Sequence, residues 1–254
     1  MKCKLVLTAA ACIGMAPVFA QNSRGDSLAR EAAKTEVWTP VPAIVTPGIT
    51  PQDAPSDAIV LFNGTNSEMW ETTKGGPAKF LIKDNAMTVV KGSGSVKTKM
   101  QFTDFQLHIE WKEPLPVINS GQSRGNSGIF MQEQYELQVL DNYDNTTYPN
   151  GQCGAIYKES IPLVNACRKP GEWQCYDVIW TAPRFNTDGS LLSPARVTVL
   201  QNGILIQNNF SVLGPTDWIG RAPYSAHGAK SIMLQDHGDD GNPVSFRNIW
   251  VRPL

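Results

Sequence analysis

In the run 126–141, NSGIFMQEQYELQVLD, Tyr135, Leu137 and Val139 alternate with Glu136 and Gln138. A strand of this period buries its apolar side and turns a carboxylate and an amide to the other. Glu136 is thereby placed to act as a general base and Gln138 to bind a hydroxyl. A second run alternates as cleanly, Phe105, Leu107, Ile109 and Trp111 against Gln106, His108, Glu110 and Lys112. The expectation is that Glu110 and Glu136 share one polar sheet face, with His108 lining the same groove. His237 sits in a loop too polar for a core, QDHGDDG, where an imidazole is suited to donate a proton near neutral pH. The plainer readings are a solvated carboxylate for Glu136, cross-strand pairing for His108 and Glu110, and a surface histidine for His237. The turn and Gly signals flanking Glu136 favour its reading as a base.

Around these groups, Asn126, Gln235 and Arg124 are candidates to hold substrate oxygens, while Arg247 is equally suited to an ion pair at the core edge. Asp141 either contacts substrate or caps the turn 141–144. Trp173, between Glu172 and a strand, is the preferred stacking platform, with core packing as its alternative. Asp236, Asp239 and Asp240 invite calcium, but their spacing is not that of an EF-hand loop and suits solvated turn residues better. No Ser-His-Asp order, phosphate loop or Cys-His zinc spacing occurs, so no cofactor or metal is assigned.

The elements that must position these groups are short strands. Ala58 to Phe62, Phe80 to Ile82, Ala86 to Val90, Ser95 to Thr98 and Phe105 to Lys112 are separated by Gly, Asn and Lys turns. The run 126–141 reads as two strands joined near 132–134. Gly154 to Tyr157, Gln174 to Trp180, Ala195 to Leu200, Gly203 to Ile206, Ser231 to Gln235 and Ser245 to Val251 continue the pattern, with Asn202-Gly203 as a hairpin turn. Helical periodicity is nearly missing beyond residue 57. The fold class is all-β, a jelly-roll sandwich of two antiparallel sheets over residues 57–254.

Residues 1–20, with two lysines, an apolar run and a small-residue end at Ala20, read as a secretory signal peptide. Residues 21–56 form a polar and Pro-rich arm: a short, weakly anchored helix around 27–34, then an extended stretch set by Pro40, Pro42, Pro47, Pro51 and Pro55. No other segment approaches the ~20 apolar residues of a membrane span, which places the mature protein in the periplasm or outside the cell. There Cys153, Cys167 and Cys175 allow at most one internal disulfide, in three pairings. The 254 residues carry a formal net charge of −1, and without a basic patch interleaved with aromatics nucleic acid is excluded as a partner. Seven Trp and six Tyr suit carbohydrate, whose ring faces lie well on aromatic rings. The sequence is silent on oligomeric state.

Several motifs run in order along the chain: Ile59-Val-Leu-Phe-Asn-Gly with Trp70, Phe102-Thr-Asp-Phe-Gln-Leu-His-Ile-Glu-Trp111, Asn126-Ser-Gly-Ile-Phe130, Tyr135-Glu-Leu-Gln-Val-Leu-Asp141, Gly171-Glu-Trp173, Leu234-Gln-Asp-His-Gly238 and Phe246-Arg-Asn-Ile249. As a set they resemble the 3-keto-disaccharide hydrolase domain family, related in fold to concanavalin A-like lectins and laminarinase-type glucanases. The resemblance implies a jelly roll whose concave sheet holds a sugar, and hydrolysis of glycosides already oxidised to a ketone at sugar carbon 3. Where the glucanases carry Glu-x-Asp-x-x-Glu, this chain has Glu136-Leu-Gln-Val-Leu-Asp141, which does not match an ordinary retaining pair with carboxyls ~5–5.5 Å apart.

The chemistry implied is elimination and hydration. A carbon-3 ketone acidifies the hydrogen on carbon 2, so the route needs a base, an enolate stabiliser and a donor to the leaving oxygen. The expected roles are Glu136 as base, Arg124 or His108 as stabiliser and His237 as donor. A lectin-like module is the competing reading, since binding needs only platforms and hydrogen-bonding groups. The Pro-rich arm alone suggests a third, an interaction domain in an envelope assembly.

Overall fold

The computed structural model describes residues 19–240 and 243–254. Most of the expected signal peptide lies outside these residues. The chain divides into two units, 1–44 and 45–254. In the first, α1 (Phe19–Ala33) is followed by an extended segment in which Val37, Trp38, Val41 and Ile44 are exposed. No helix among the described residues is long and apolar enough to cross a membrane.

Among its described residues the second unit holds fifteen strands. They are β1 (Ile59–Phe62), β2 (Trp70–Thr72), β3 (Leu81–Lys83), β4 (Ala86–Thr88), β5 (Val96–Thr98), β6 (Phe105–Lys112), β7 (Ser127–Met131), β8 (Tyr135–Val139), β9 (Gln174–Thr181), β10 (Arg184–Phe185), β11 (Leu191–Ser193), β12 (Arg196–Gln201), β13 (Ile204–Ser211), β14 (Met233–Leu234) and β15 (Ser245–Pro253). One sheet runs β13-β12-β9-β6-β15-β4-β3, with β1 also paired to β15; the other runs β2-β5-β14-β7-β8; β10 and β11 form a separate ribbon. Pairing throughout is antiparallel. This is the two-sheet sandwich that the strand pattern implies.

The period-2 pattern decides what lies between the sheets. Phe105, Leu107, Ile109 and Trp111 of β6 share one buried core with Tyr135, Leu137 and Val139 of β8 and with Tyr176, Val178 and Trp180 of β9. The 154–157 segment is not a strand; Ile156 makes isolated bridges to Leu137 and Ser160. It covers the outer edge of β8, with Gln138 N donating to Ala155 O at 3.0 Å and Tyr157 N to Glu136 O at 3.1 Å. That capping satisfies backbone groups an edge strand would otherwise leave open.

Two local devices orient the polar residues. The β7–β8 turn places Gln132 and Glu133 at φ 51° and 60°, conformations that cost an L-residue energy unless the surroundings hold them. Gln132 does so by donating to Phe102 O at 3.1 Å and accepting from Trp180 Nε1 at 3.3 Å. In β15 the register shifts between Arg247 and Trp250, and Asn248 has φ 44°. The bulge directs Asn248 Nδ2 to Glu110 Oε1 at 2.9 Å and to Gln52 O at 3.0 Å. Trp250 Nε1 donates to the same carbonyl at 2.9 Å. The proline-rich stretch from Val45 onward is thereby fastened to the large sheet.

Candidate active site

The β7–β8 hairpin with the chain leaving β14 makes a trough on the outer face of the five-stranded sheet. Gln138 pairs with Gly128, and Gln235 N donates to Gly128 O at 3.0 Å, so a glycine stands between two glutamines. On the same face Glu136 pairs with Phe130. A Cβ on Gly128 would lie 2.4 Å from Glu136 Oε1 and 2.7 Å from the Phe130 ring. The missing side chain is what lets the carboxyl fold inward over the sheet. A cavity of about 210 Å³ opens there, lined by Asn126, Phe130, Glu136, Gln138, Tyr157, Thr216, Trp218, Gln235 and His237.

Its polar groups are unevenly satisfied. Glu136 is 6% exposed and no hydrogen bond from a described residue reaches its carboxylate. Burial alone pushes its pKa up to about 8, because the charged form has lost water and gained no donor. Gln138 Nε2 donates to Asn126 Oδ1, Gln122 Oε1 and Gly151 O at 3.3–3.5 Å, which fixes the amide and leaves Oε1 buried without a partner. Gln235 Oε1 is likewise unpartnered. Orphaned buried acceptors cost ~1–3 kcal/mol each, and a ligand rich in hydroxyl donors removes that cost. His237 Nδ1 lies 2.8 Å from Asp239 Oδ2. A carboxylate on Nδ1 fixes the tautomer in which Nε2 carries the lone pair.

Five residues expected from sequence therefore meet in one pocket: Asn126, Glu136, Gln138, Gln235 and His237. The expected union of Glu110 with Glu136 does not occur. β6 and β8 belong to different sheets, so polar residues facing away from their shared core point to opposite sides of the sandwich. On that opposite side His108 Nδ1 meets Asp177 Oδ1 at 2.7 Å, its ring stacks on Trp250, and Arg247 Nε donates to Glu110 Oε2 at 2.6 Å. Burial pulls the His108 pKa down, but Asp177 and Glu110 outweigh it and hold it at about 8. For Glu110, burial raises the pKa and bonds from His108, Asn248 and Arg247 overcome it, to about 2.

Trp173 lies near the same network, with the Arg247 guanidinium 4.1 Å and the Lys112 ammonium 4.7 Å from its ring centre. Arg124 binds Asp141 Oδ2 at 2.7 Å and donates to Tyr143 O at 2.8 Å, while Asp141 Oδ1 accepts from Tyr143 N at 3.1 Å. Asp141 thus caps its turn. Cys153, Cys167 and Cys175 are free thiols. Asp236 accepts from Gly94 N and Gly238 N, and among the described residues no group of His, Cys, Asp and Glu is arranged to hold a metal.

Sequence reasoning missed Tyr157, Thr216, Trp218 and Gly128, and read Asp239 as a solvated turn residue where it stands behind His237. Thr216 is set by two bonds to the β8 edge, from Glu136 N to Oγ1 at 2.9 Å and from its own N to Gln134 O at 2.8 Å. A Trp inside the Gly-Pro loop 213–220 was the one available signal for that wall. The outer-face glycine in a strand was the signal for the trough.

A family model described as 3-keto-alpha-glucoside-1,2-lyase-like domain matches residues 57–252. A crystal structure of a candidate glycosyl hydrolase from Parabacteroides distasonis ATCC 8503 is 54% identical, with a TM-score of 0.84 over 87% of this chain and 95% of that one. Two further candidate glycosyl hydrolases of the same organism, 20% and 22% identical, superpose with TM-scores of 0.57 and 0.52. They cover 83% and 78% of this chain and 100% and 99% of theirs, and share its fold. No curated protein matches.

Proposed function

This chain belongs to the 3-keto-alpha-glucoside-1,2-lyase-like family, a carbohydrate-active enzyme family, and from that premise we propose that it cleaves glycosides carrying a ketone at carbon 3, by elimination followed by hydration. The carrying observation is a buried carboxyl held protonated at neutral pH in the same cavity as a histidine oriented by an aspartate.

The buried carboxyl of Glu136, and the Asp239 carboxylate behind His237, favour roles opposite to those expected from sequence. The His237 Nε2 lone pair takes the proton from carbon 2, and Asp239 supports the imidazolium that forms. The electron pair moves into the carbon 2–carbon 3 bond and onto the ketone oxygen. Gln235, whose side-chain amide bonds no described residue, offers an N–H to that oxygen. The enolate expels the glycosidic oxygen, which takes the Glu136 proton. The Glu136 carboxylate draws a proton from the water that adds to carbon 1, and His237, its proton exchanged with solvent in the interval, protonates carbon 2. Arg124 and His108 have no part, being bound elsewhere. The leader-like residues 1–20 support placing this reaction in the periplasm or outside the cell.

The test is to incubate purified protein in deuterated water with 3-keto and unmodified disaccharides. Turnover of the 3-keto substrate alone, with deuterium at carbon 2 of the released sugar, is expected. Binding without turnover of either would make the protein a lectin-like module, and turnover without deuterium would exclude elimination.

A further inference from the structure

At the mouth of the cavity Trp218 is 71% exposed and the neighbouring Ile219 73%. An indole left open to water beside a polar pocket is a large apolar surface without a partner. It is held in place from both ends. Thr216, two residues before it, is bonded twice to the β8 edge, and the Trp218 carbonyl accepts from Lys158 Nζ. That ammonium lies 5.8 Å from the Trp218 ring centre and 5.5 Å from that of Tyr157, joining the two aromatic walls. The Tyr157 hydroxyl is in turn bonded to the Tyr148 hydroxyl at 2.8 Å. Lys158 has φ 60°, a strained conformation held by its N–H donating to Asn150 O at 2.7 Å.

The inner cavity, about 210 Å³, is below the ~300–1,000 Å³ of pockets for drug-sized ligands, so it takes one sugar ring. The next ring of a glycoside has to leave through the rim. We infer that Trp218, with Tyr157 and Lys158, forms a second sugar subsite that binds the leaving-group ring, so that disaccharides are selected over glycosides of small alcohols. The apolar face of a pyranose stacks on the indole, and the Lys158 ammonium is at hand for its hydroxyls. This rests on the proposed reading of the pocket as a sugar site, and adds which class of glycoside fills it.

The experiment measures binding and turnover separately, with wild type and Trp218→Ala, on a 3-keto disaccharide and the matching 3-keto methyl glycoside. Stacking of this kind gives about three- to tenfold in affinity. Wild type is expected to bind the disaccharide more tightly by about that factor, and Trp218→Ala to lose the preference, its affinity for the disaccharide falling by more than its affinity for the methyl glycoside. The same loss is expected in KM with kcat little changed. Equal wild-type affinity for both ligands, or a preference that survives Trp218→Ala, overturns the subsite whatever the turnover. A binding preference lost in Trp218→Ala without turnover of either ligand upholds the subsite and overturns the enzymatic reading alone. Trp218→Phe, which keeps a smaller ring, should retain part of the preference, separating stacking from a folding defect.

Discussion

Replacing Glu136 by Gln removes the one carboxyl that, among the described residues, is buried without a donor, and it acts on stability and turnover with different signs. In the native protein the group titrates near 8, against 4.5 for an unhindered glutamate. Between these values the folded state binds a proton that the unfolded state has released, so stability falls as pH rises from 4.5 and levels off above 8. A gap of about 3.5 pH units corresponds to about 5 kcal/mol if the pocket stays dry, and less as water enters it. Glu136→Gln carries no such dependence. Its stability relative to wild type should therefore climb by a few kcal/mol between pH 5 and pH 9, measured by urea unfolding of both proteins at both pH values. Turnover should drop ~10²- to 10⁴-fold below pH 8, the usual loss for an acid–base group, and by less above it. The wild-type kcat/KM should decline above pH 8, where Glu136 gives up its proton. Parallel stability curves for the two proteins would refute the buried-acid reasoning. A wild-type rate that rises to a plateau above pH 8 would return Glu136 to the role of base.

The other tests bear on what surrounds that carboxyl and on the opposite face. Gly128→Ala puts a methyl 2.4 Å from Glu136 Oε1 and should cost ~1–3 kcal/mol in stability; the displaced carboxyl meets water, so the alkaline fall in rate should move to lower pH. Arg124→Ala leaves Asp141, 2% exposed, without its cation. A loss of ~3–5 kcal/mol in thermal or urea unfolding is expected, with KM for the sugar little changed in the folded fraction; intact stability with a collapsed kcat would make Arg124 an enolate stabiliser after all. For the His108–Glu110 network the signs oppose. The raised His108 pKa stabilises fully below 6.5 and is lost as pH rises through about 8, while the depressed Glu110 pKa stabilises above 4.5 and is lost as pH falls through about 2. Melting temperature in a Glu136→Gln background should thus be highest between pH 4.5 and 6.5, and His108→Gln should flatten its alkaline side.

How much was legible in the residues follows from the range of each signal. Alternation is local, and it marked β6 as Phe105–Lys112 and β8 within the run 126–141. It also separated the core side from the polar side of each strand. It carries no information about which sheet a strand joins, since that depends on pairing with β9 and β15 for β6 and with β7 for β8. Hence two correctly read polar faces were joined into one groove when they are back to back. Arg124 illustrates a second limit: a guanidinium near a polar strand reads as a substrate ligand, and only the folded chain shows it spent on Asp141 and the carbonyls beyond it. The proline spacing implied an extended arm but not the carbonyl of Gln52 that Trp250 and Asn248 grip, because that contact joins residues nearly two hundred apart.

The lining of the trough has a consequence for sorting among glycans. Amides, aromatic rings, a threonine hydroxyl, one carboxyl and one imidazole face the cavity, and no lysine or arginine is among them; the Lys158 ammonium stands outside this lining, at the rim, bonded to the Trp218 carbonyl. A uronic acid, sulfated sugar or sugar phosphate entering there finds acceptors where it needs cations. Its charge would also push the Glu136 proton on more firmly, at further electrostatic cost. The site is in this sense a charge filter, and in a mixture of polysaccharide fragments it should take up the neutral ones and leave the polyanions in solution.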